Sequence, residues 1–537
     1  MSAPPVGAVA SAPVPLETFT AAERARLAPH FTDLDGPVFA LVNLPETVKG
    51  ALFARYSRFP GTLRRLFLDE FADDVAGGTW DGAGEGERAA QLYERIFLGY
   101  GDDSVAQLGG AHVACEWVSN VLTKILQRPR LAAYLEQSTR YIAYDRPMPG
   151  GGYRYHRDPS LGPAYEAAMD ELFATYSAAL PRVTEWVDAR FPGDASPARA
   201  RAVLAKALDL LRGLLPAASL SHMGIYATGQ TYEQLILHLL AHPLPEARRC
   251  GEGILAAVKA LMPSFVARVE RPDRGGEWIE YLRERDAAAA RWAARLGLDR
   301  ETGGDGPSVR LLHVDGDEET LLAALLFEAT GASEEETRLR VSALSGDERA
   351  ALLGDLAGAR RNRRHRPGRG YEALRYRFEI VSDYGAFRDL QRHRMLTVQW
   401  QALTPHLGAG VPDEVDAAGV GDDYRRALEV SRAAWQALAD AGRVREAAYA
   451  LCLGYRIRYV LDLNAREAMQ VIELRSGREG HPAYRAVAHE MHRLIGEVHP
   501  AVAATMTHVD HEAEPRLERI LSEMRNEARS QSPAASR

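Results

Sequence analysis

Apolar positions recur at three- and four-residue steps over most of this chain, and the exceptions are short. Val38-Phe-Ala-Leu-Val42 is a continuous apolar run of strand type. Pro45 then stands where a helix begins, because its missing N–H costs nothing in a first turn, and helical periodicity follows from Glu46 to Tyr56. The same succession returns at Val309–Val314 and Glu318–Phe327. Residues 101–127 read as mostly helical, with Trp117, Val118, Val121, Leu122, Ile125 and Leu126 on one apolar face. A Pro/Gly loop at 146–160 precedes long helical segments reaching about Arg268. Residues 271–307 read as a connector with one Ala/Arg-rich helix and a flexible end at Gly303–Pro307. Beyond Glu514 the pattern is one charged helix and a disordered Ser/Pro/Ala end.

One stretch occurs twice. The first copy is Arg128-Pro-Arg130 followed by Tyr134, Glu136, Gln137, Ser138, Arg140 and Tyr141. The second is Arg392-His-Arg394 followed by Trp400, Gln401, Ala402, Thr404 and Pro405. In each, Arg-x-Arg closes an amphipathic segment, and Arg130 and Arg394 lie 264 residues apart. Two similar domains in tandem produce such a spacing. Cations also suit a helix C-terminus, so each arginine alone has a plain structural explanation.

The stretch resembles the signature of the flavin-dependent thymidylate synthases, in which Arg-His-Arg, seven residues, Ser, one residue and Arg follow in order. Copy one keeps Ser138 and Arg140 but has Pro129 for the histidine; copy two keeps Arg392-His393-Arg394 but has Ala402 and Thr404. Leu210-Leu-Arg212-Gly-Leu-Leu-Pro216 resembles the family's later Arg-x-x-Leu-Pro element, and Arg458-Tyr-Val-Leu-Asp462 reads as its counterpart in copy two. The resemblance implies reductive methylation of dUMP to dTMP with methylene-tetrahydrofolate, FAD passing the hydride and NADPH as reductant. It implies Arg392 and Ser138 as catalytic groups, and Glu136, Ser138, Arg140, Arg212, Arg392 and Arg458 as substrate-binding groups. Arg392, His393 and Arg394 would face the flavin. The Glu-His that precedes the family signature is Gln107-Leu108 and Glu372-Ala373 here, and two flavin-holding asparagines correspond to Thr228 and Gln234, and to Glu473 and Glu479. A carboxylate beside a pyrophosphate repels it.

Copy two also carries Arg360-Arg-Asn-Arg-Arg-His-Arg-Pro-Gly-Arg369, six arginines in ten positions. A solvated loop, a phosphate site and a nucleic-acid surface all fit. The family's flavin site lies beside the equivalent loop, which favours Arg363, Arg364 and Arg366 as cofactor-binding groups. The chain's net charge of -8 argues against a nucleic-acid coat, as does the absence of interleaved aromatics in the run. Cys115, Cys250 and Cys452 have no metal-type spacing and fit a reducing cytoplasm. His489 with His492, or His508 with His511, lack further ligands nearby, so no metal is expected. No apolar run is long enough for a membrane span.

The expected architecture is α+β: two diverged copies of the flavin-dependent thymidylate synthase-like fold as an internal pseudo-dimer. The divisions are a flexible tail at 1–35, copy one at 36–270, a connector at 271–307, copy two at 308–510 and a tail at 511–537. The family builds its sites across a homotetramer, so a homodimer of the fused chain would make a pseudo-tetramer. The rival reading is a nucleotide-binding regulatory or scaffold protein that kept the fold and lost the flavin.

Overall fold

The computed structural model describes residues 17–56, 59–73, 107–148, 150–298, 303–304, 306–512 and 517–531. Among the described residues seven strands make two sheets, of which the four-stranded one is antiparallel throughout. One has the order β1-β3-β2, from β1 (Gly110–Ser119), β2 (Ala132–Glu136) and β3 (Leu220–Thr228). The other has the order β4-β5-β7-β6, from β4 (Ser308–Asp315), β5 (Arg375–Asp383), β6 (Thr397–Trp400) and β7 (Arg456–Asn464). The order β5-β7-β6 repeats β1-β3-β2, so the duplication extends to topology.

The same local device makes four of these strands turn into helices. Ser119, Thr228, Asp383 and Asn464 each end a strand and accept a backbone N–H from the first turn of the helix that follows. The helices are Asn120–Leu126, Gly229–Ala241, Tyr384–Leu390 and Ala465–Arg475. This corrects the expectation of helix through 101–127. Ala111, Val113 and Cys115 point inward while His112, Ala114 and Glu116 point out, a period of two, and only the last seven residues wind. Alternation slips at Trp117, whose φ of 55° marks an irregularity just before the cap. Strand β3 likewise interrupts the segment read as helical to Arg268. Residues 101–106 of the expected helix lie outside the described residues.

Strand β4 and the helix Glu318–Leu326 stand where the sequence places them, and so does the helix Glu46–Tyr56. Val38–Val42 does not form a strand; Leu41 makes one bridge to Phe31. Among the described residues copy one shows no edge strand like the one β4 gives copy two. Residues 17–35 contain a helix from Ala21, capped by Thr20, and the connector holds the helix Glu277–Arg295.

Two compact units divide the chain. The first comprises residues 1–115, 131–135 and 224–292. Its core gathers Val48, Leu52, Phe67, Val113, Ile225, Tyr232, Ile236, Val258 and Phe265. Inside it Arg268 grips the buried Glu233 carboxylate with two hydrogen bonds. The second comprises residues 116–130, 136–223 and 293–537, and parts of both copies pack together within it.

That packing is symmetric. Pro216 and Cys452 form an antiparallel bridge, flanked by Leu453 N–H to Leu215 O (2.8 Å) and Ala217 N–H to Leu451 O (2.7 Å). One step out, Gly454 N–H reaches Gly213 O and Ala218 N–H reaches Tyr449 O, both 3.0 Å. These partners exchange under an offset of 236 residues (216 to 452), the offset that carries β3 onto β7. Copy two has Gly454 where copy one has Ala218, and a Cβ on Gly454 would stand 3.1 Å from Gly213 O, a tight contact. The offset settles one alignment. Arg458 is equivalent to His222, and Arg212 to Ala448, so Arg212 and Arg458 are not counterparts.

Between the long helix and the next strand copy one has residues 191–219 and copy two only 441–455. The helix Pro197–Leu211, with Lys206 and Asp209, thus has no equivalent in copy two.

A composite arginine-rich candidate site

The two copies of the repeated stretch meet inside the second unit. Glu136, at the end of β2, is buried to 1% side-chain exposure and gathers four donors. Lys124 Nζ (2.9 Å), Gln127 Nε2 (3.0 Å) and Arg392 Nη2 (2.7 Å) reach its Oε2, and Arg388 Nη2 reaches Oε1 at 3.2 Å. Lys124 and Arg388 occupy equivalent positions, 264 residues apart, and converge on one carboxylate. Burial alone would raise the Glu136 pKa, but these cations outweigh it and hold the carboxyl well below its ordinary range. Burial pushes the Lys124 ammonium down to about 7 despite Glu136.

A second carboxylate continues the chain of charges. Asp389 lies 3.5 Å from Arg392 Nη1 and 3.3 Å from Arg212 Nη1, whose other nitrogen stands 3.6 Å from Asp383. Arg140, in the loop after β2, pairs with Asp209 through two bonds of 2.6 Å and donates to Tyr484 Oη at 2.8 Å. Ser138 Oγ accepts the Arg140 N–H and shapes that loop. Burial would raise the Asp209 pKa, yet Arg140 outweighs it and brings it to about 2.

His393 is buried. Its Nε2 accepts from Arg475 Nε at 3.0 Å and its Nδ1 lies 3.5 Å from Glu467, so the ring is neutral with its proton on Nδ1. Burial lowers its pKa. Arg475 makes no ion pair among the described residues; it stacks 5.5 Å from the Tyr484 ring centre, and burial lowers its pKa. The Nε atoms of Arg392 and Arg388 are buried without hydrogen-bond partners. Five carboxylates, Glu136, Asp209, Asp383, Asp389 and Glu467, thus stand among five arginines, Arg140, Arg212, Arg388, Arg392 and Arg475, with Lys124 lowered to about 7 beside them. Arg475 is the one of these arginines with no carboxylate partner among the described residues, and charge removed from water without a counter-ion is costly, so an anion beside it would be stabilised.

A cavity of about 330 Å³ opens beside this network, lined by Asp209, Arg212, Asp383, Tyr424 and His481 among others. His481 accepts from Ala483 N–H and donates to Asp209 O, and burial holds its pKa well below the ordinary value.

Of the sequence-predicted site residues, the structure brings Glu136, Ser138, Arg140, Arg212, Arg392 and His393 into this neighbourhood. Arg458 lies on β7, paired with Val381, and no described hydrogen bond or ion pair ties its side chain to the cluster. Arg394 is exposed. In the basic run Arg364 and Arg366 are exposed and Arg363 is half-buried, whereas Arg360 turns inward and pairs with Glu473 at 2.5 and 2.6 Å. The carboxylate that departs from the family's asparagine is therefore neutralised within the chain. Sequence reasoning missed Lys124, Arg388, Asp389, Asp209 and Tyr484. The first two were legible as cations at equivalent positions on otherwise apolar helices; Asp209 sits on the helix unique to copy one.

Fold and site define a tandem of two α+β domains sharing one charged composite centre. The profile of the thymidylate synthase complementing protein family matches twice, at residues 67–264 and 312–501. The chain belongs to that family, the flavin-dependent thymidylate synthases, as a duplicated member. It is 36% identical to a UPF0159 protein of Chlamydia muridarum over 95% of this chain and 99% of that protein. It is 31% identical to a UPF0159 protein of Thermoplasma acidophilum over 89% of this chain and 98% of that one. Among solved structures, the UMP/dUMP methylase PolB from Streptomyces cacaoi bound with 5-Br dUMP is 20% identical, with a TM-score of 0.32, over 38% of this chain and 95% of that one.

Proposed function

We propose that this chain is a flavin-dependent thymidylate synthase-like enzyme that methylates dUMP reductively, with methylene-tetrahydrofolate as methyl donor, at one composite site per chain. The observation that carries it is the cluster of guanidinium groups, with Arg475 lacking a carboxylate partner among the described residues, where copy one's Glu136–Arg140 loop meets copy two's Arg392-His393. In this reading Ser138 and Arg140 hold the nucleotide phosphate, and Arg392, which Arg212 supports through Asp389, polarises the base carbonyl. The unpartnered Arg392 Nε and the unpaired Arg475 fit an anionic flavin, which Arg392, His393, Arg394, Arg363, Arg364 and Arg366 would hold. FAD supplies the hydride when bound, with NADPH as its reductant. Neutral His393 keeps Arg475 aimed at the site and adds no further positive charge.

We also take residues 36–270 and 308–510 as the copies, a homodimer as the working assembly and the cytoplasm as its location; no helix of the described residues is long and apolar enough to cross a membrane. One observation favours the rival reading, a nucleotide-binding protein without flavin: Arg140 is already engaged by Asp209 and Tyr484. Visible absorbance separates the two. Purified protein with flavin bands that turns over dUMP supports the enzyme; colourless protein that binds dUMP after incubation with FAD supports the rival.

A further inference from the structure

The matched family regions end at residue 501, yet a later segment reaches the site. Arg519 is 4% exposed and donates from Nη1 to the carbonyl of Arg140 at 3.1 Å. Its guanidinium lies 4.0 Å from the Tyr141 ring centre, and Nη2, which has no hydrogen-bond partner, stands 3.8 Å from Asp209 Oδ1. Next to it, buried Glu518 takes Lys206 Nζ at 2.7 Å. The helix Ile520–Gln531 then runs along Pro197–Leu211, where Glu523 accepts from Arg201 and Glu527 accepts the Ala198 N–H at that helix's start. The segment therefore grips both the Ser138–Tyr141 loop and the helix that copy one alone possesses.

We propose that residues 517–531 are a strap that positions the anion-binding loop of the composite site, with Arg519 as its positioning residue. The geometry gives the reason. Arg140 makes its two charge-assisted bonds from a short loop in which Ser138 contributes one bond to the Arg140 N–H. The Arg140 side chain is anchored on Asp209 and Tyr484, and fixing the backbone carbonyl of Arg140 together with the ring of its neighbour removes backbone freedom that those side-chain bonds leave, before a ligand arrives. Copy two has no counterpart of Pro197–Leu211, so one strap serves one site. The ligand is the phosphate of a pyrimidine nucleotide, and this part rests on the function proposed above.

The experiment uses the full chain with Arg519→Ala, Arg519→Gln and Arg519→Lys. Amide exchange at residues 138–141, read without ligand, tests the strap alone: faster exchange in the Ala and Gln variants, with Lys near wild type, is expected. Calorimetry with dUMP on folded protein is expected to show affinity about tenfold weaker in Ala and Gln and restored to within about threefold in Lys. Unchanged exchange at 138–141 overturns the strap, and so does unchanged dUMP affinity in a folded Ala or Gln variant. Wild-type protein that binds no dUMP overturns the nucleotide reading instead, while the exchange result still decides the strap. Should Arg519→Ala not fold, the Gln and Lys variants carry the test.

Discussion

The Arg128 guanidinium lies 5.4 Å from the centre of the Trp400 ring. Arg128 is equivalent to Arg392, and Trp400 to Glu136, both by the offset of 264 residues. One pseudo-symmetric position therefore holds a buried ion pair and the other a cation–π contact. Beside Arg128, Arg130 Nη2 donates to Thr397 Oγ1, and copy two has Ala402 and Thr404 where Ser138 and Arg140 stand. A fused pair can lose from each copy what only the other site uses, and the proposed composite site requires that pattern.

One nucleotide should therefore bind per chain. Calorimetry with dUMP should give one equivalent, with Arg392→Ala losing roughly 1.5–3 kcal/mol of binding, the worth of a charge-assisted contact, and Arg128→Ala losing little. A stoichiometry of two, or equal losses from the two variants, would refute the composite site.

Glu136→Gln should be strongly destabilising. It leaves Lys124, Arg388 and Arg392 around a neutral amide, all three reaching that one side chain. Removing one partner of a buried ionic network costs about 3–5 kcal/mol. Urea unfolding of the variant is the measurement, and a midpoint within error of wild type would show that the network contributes nothing net.

Within the basic run the arginines should divide. Arg360→Ala strands the buried Glu473 carboxylate and should cost about 3–5 kcal/mol of stability, since their side chains are 3% and 1% exposed. The triple replacement of Arg363, Arg364 and Arg366 by Ala should leave the Tm unchanged and weaken flavin or nucleotide binding. Unchanged affinity for both ligands returns the run to a solvated loop.

The contrast between Arg360 and its neighbours shows where sequence reasoning stops. Strand β4, the helix after it, the duplication and the meeting of Arg392 with the Glu136 loop were legible, because repeated motifs and periodic apolar positions are local signals. Strands β1 and β3 were not recognised. Helical spacing beyond Val118 masked the alternation of Ala111, Val113 and Cys115, and the cap at Ser119 that divides them is one small residue. The carboxylates Asp209 and Asp389 were invisible as site residues because each is defined by its partner's position, 69 residues away for Asp209 and Arg140. The misalignment of Arg212 with Arg458 came from copy two's shorter loop and long helix and its missing helix, half of the change in offset being the helix segment, which together shift the offset between copies from 264 to 236.

Stability should fall as the solution is acidified from about pH 7 to 5, and His481 should be one cause. Its Nδ1 accepts the Ala483 N–H and its Nε2–H serves Asp209 O, so the fold needs the neutral ring; Arg212 and Arg140 stand near and Asp209 faces it. Burial first, then Arg212, lowers the folded pKa well below the unfolded value of about 6.5. Between those two values the unfolded chain holds more protons than the folded one, so the unfolding free energy rises with pH and is lost as pH falls. His393, lowered by burial, acts with the same sign. Asp209, near 2 when folded, adds a separate loss below about pH 4. His481→Asn keeps an N-cap acceptor for the helix Pro482–Val498 and removes the titration. Urea unfolding at pH 7.5, 6 and 5 should therefore show a shallower decline in the Asn variant than in wild type. Parallel declines would mean that His481 is protonated at no cost in the fold.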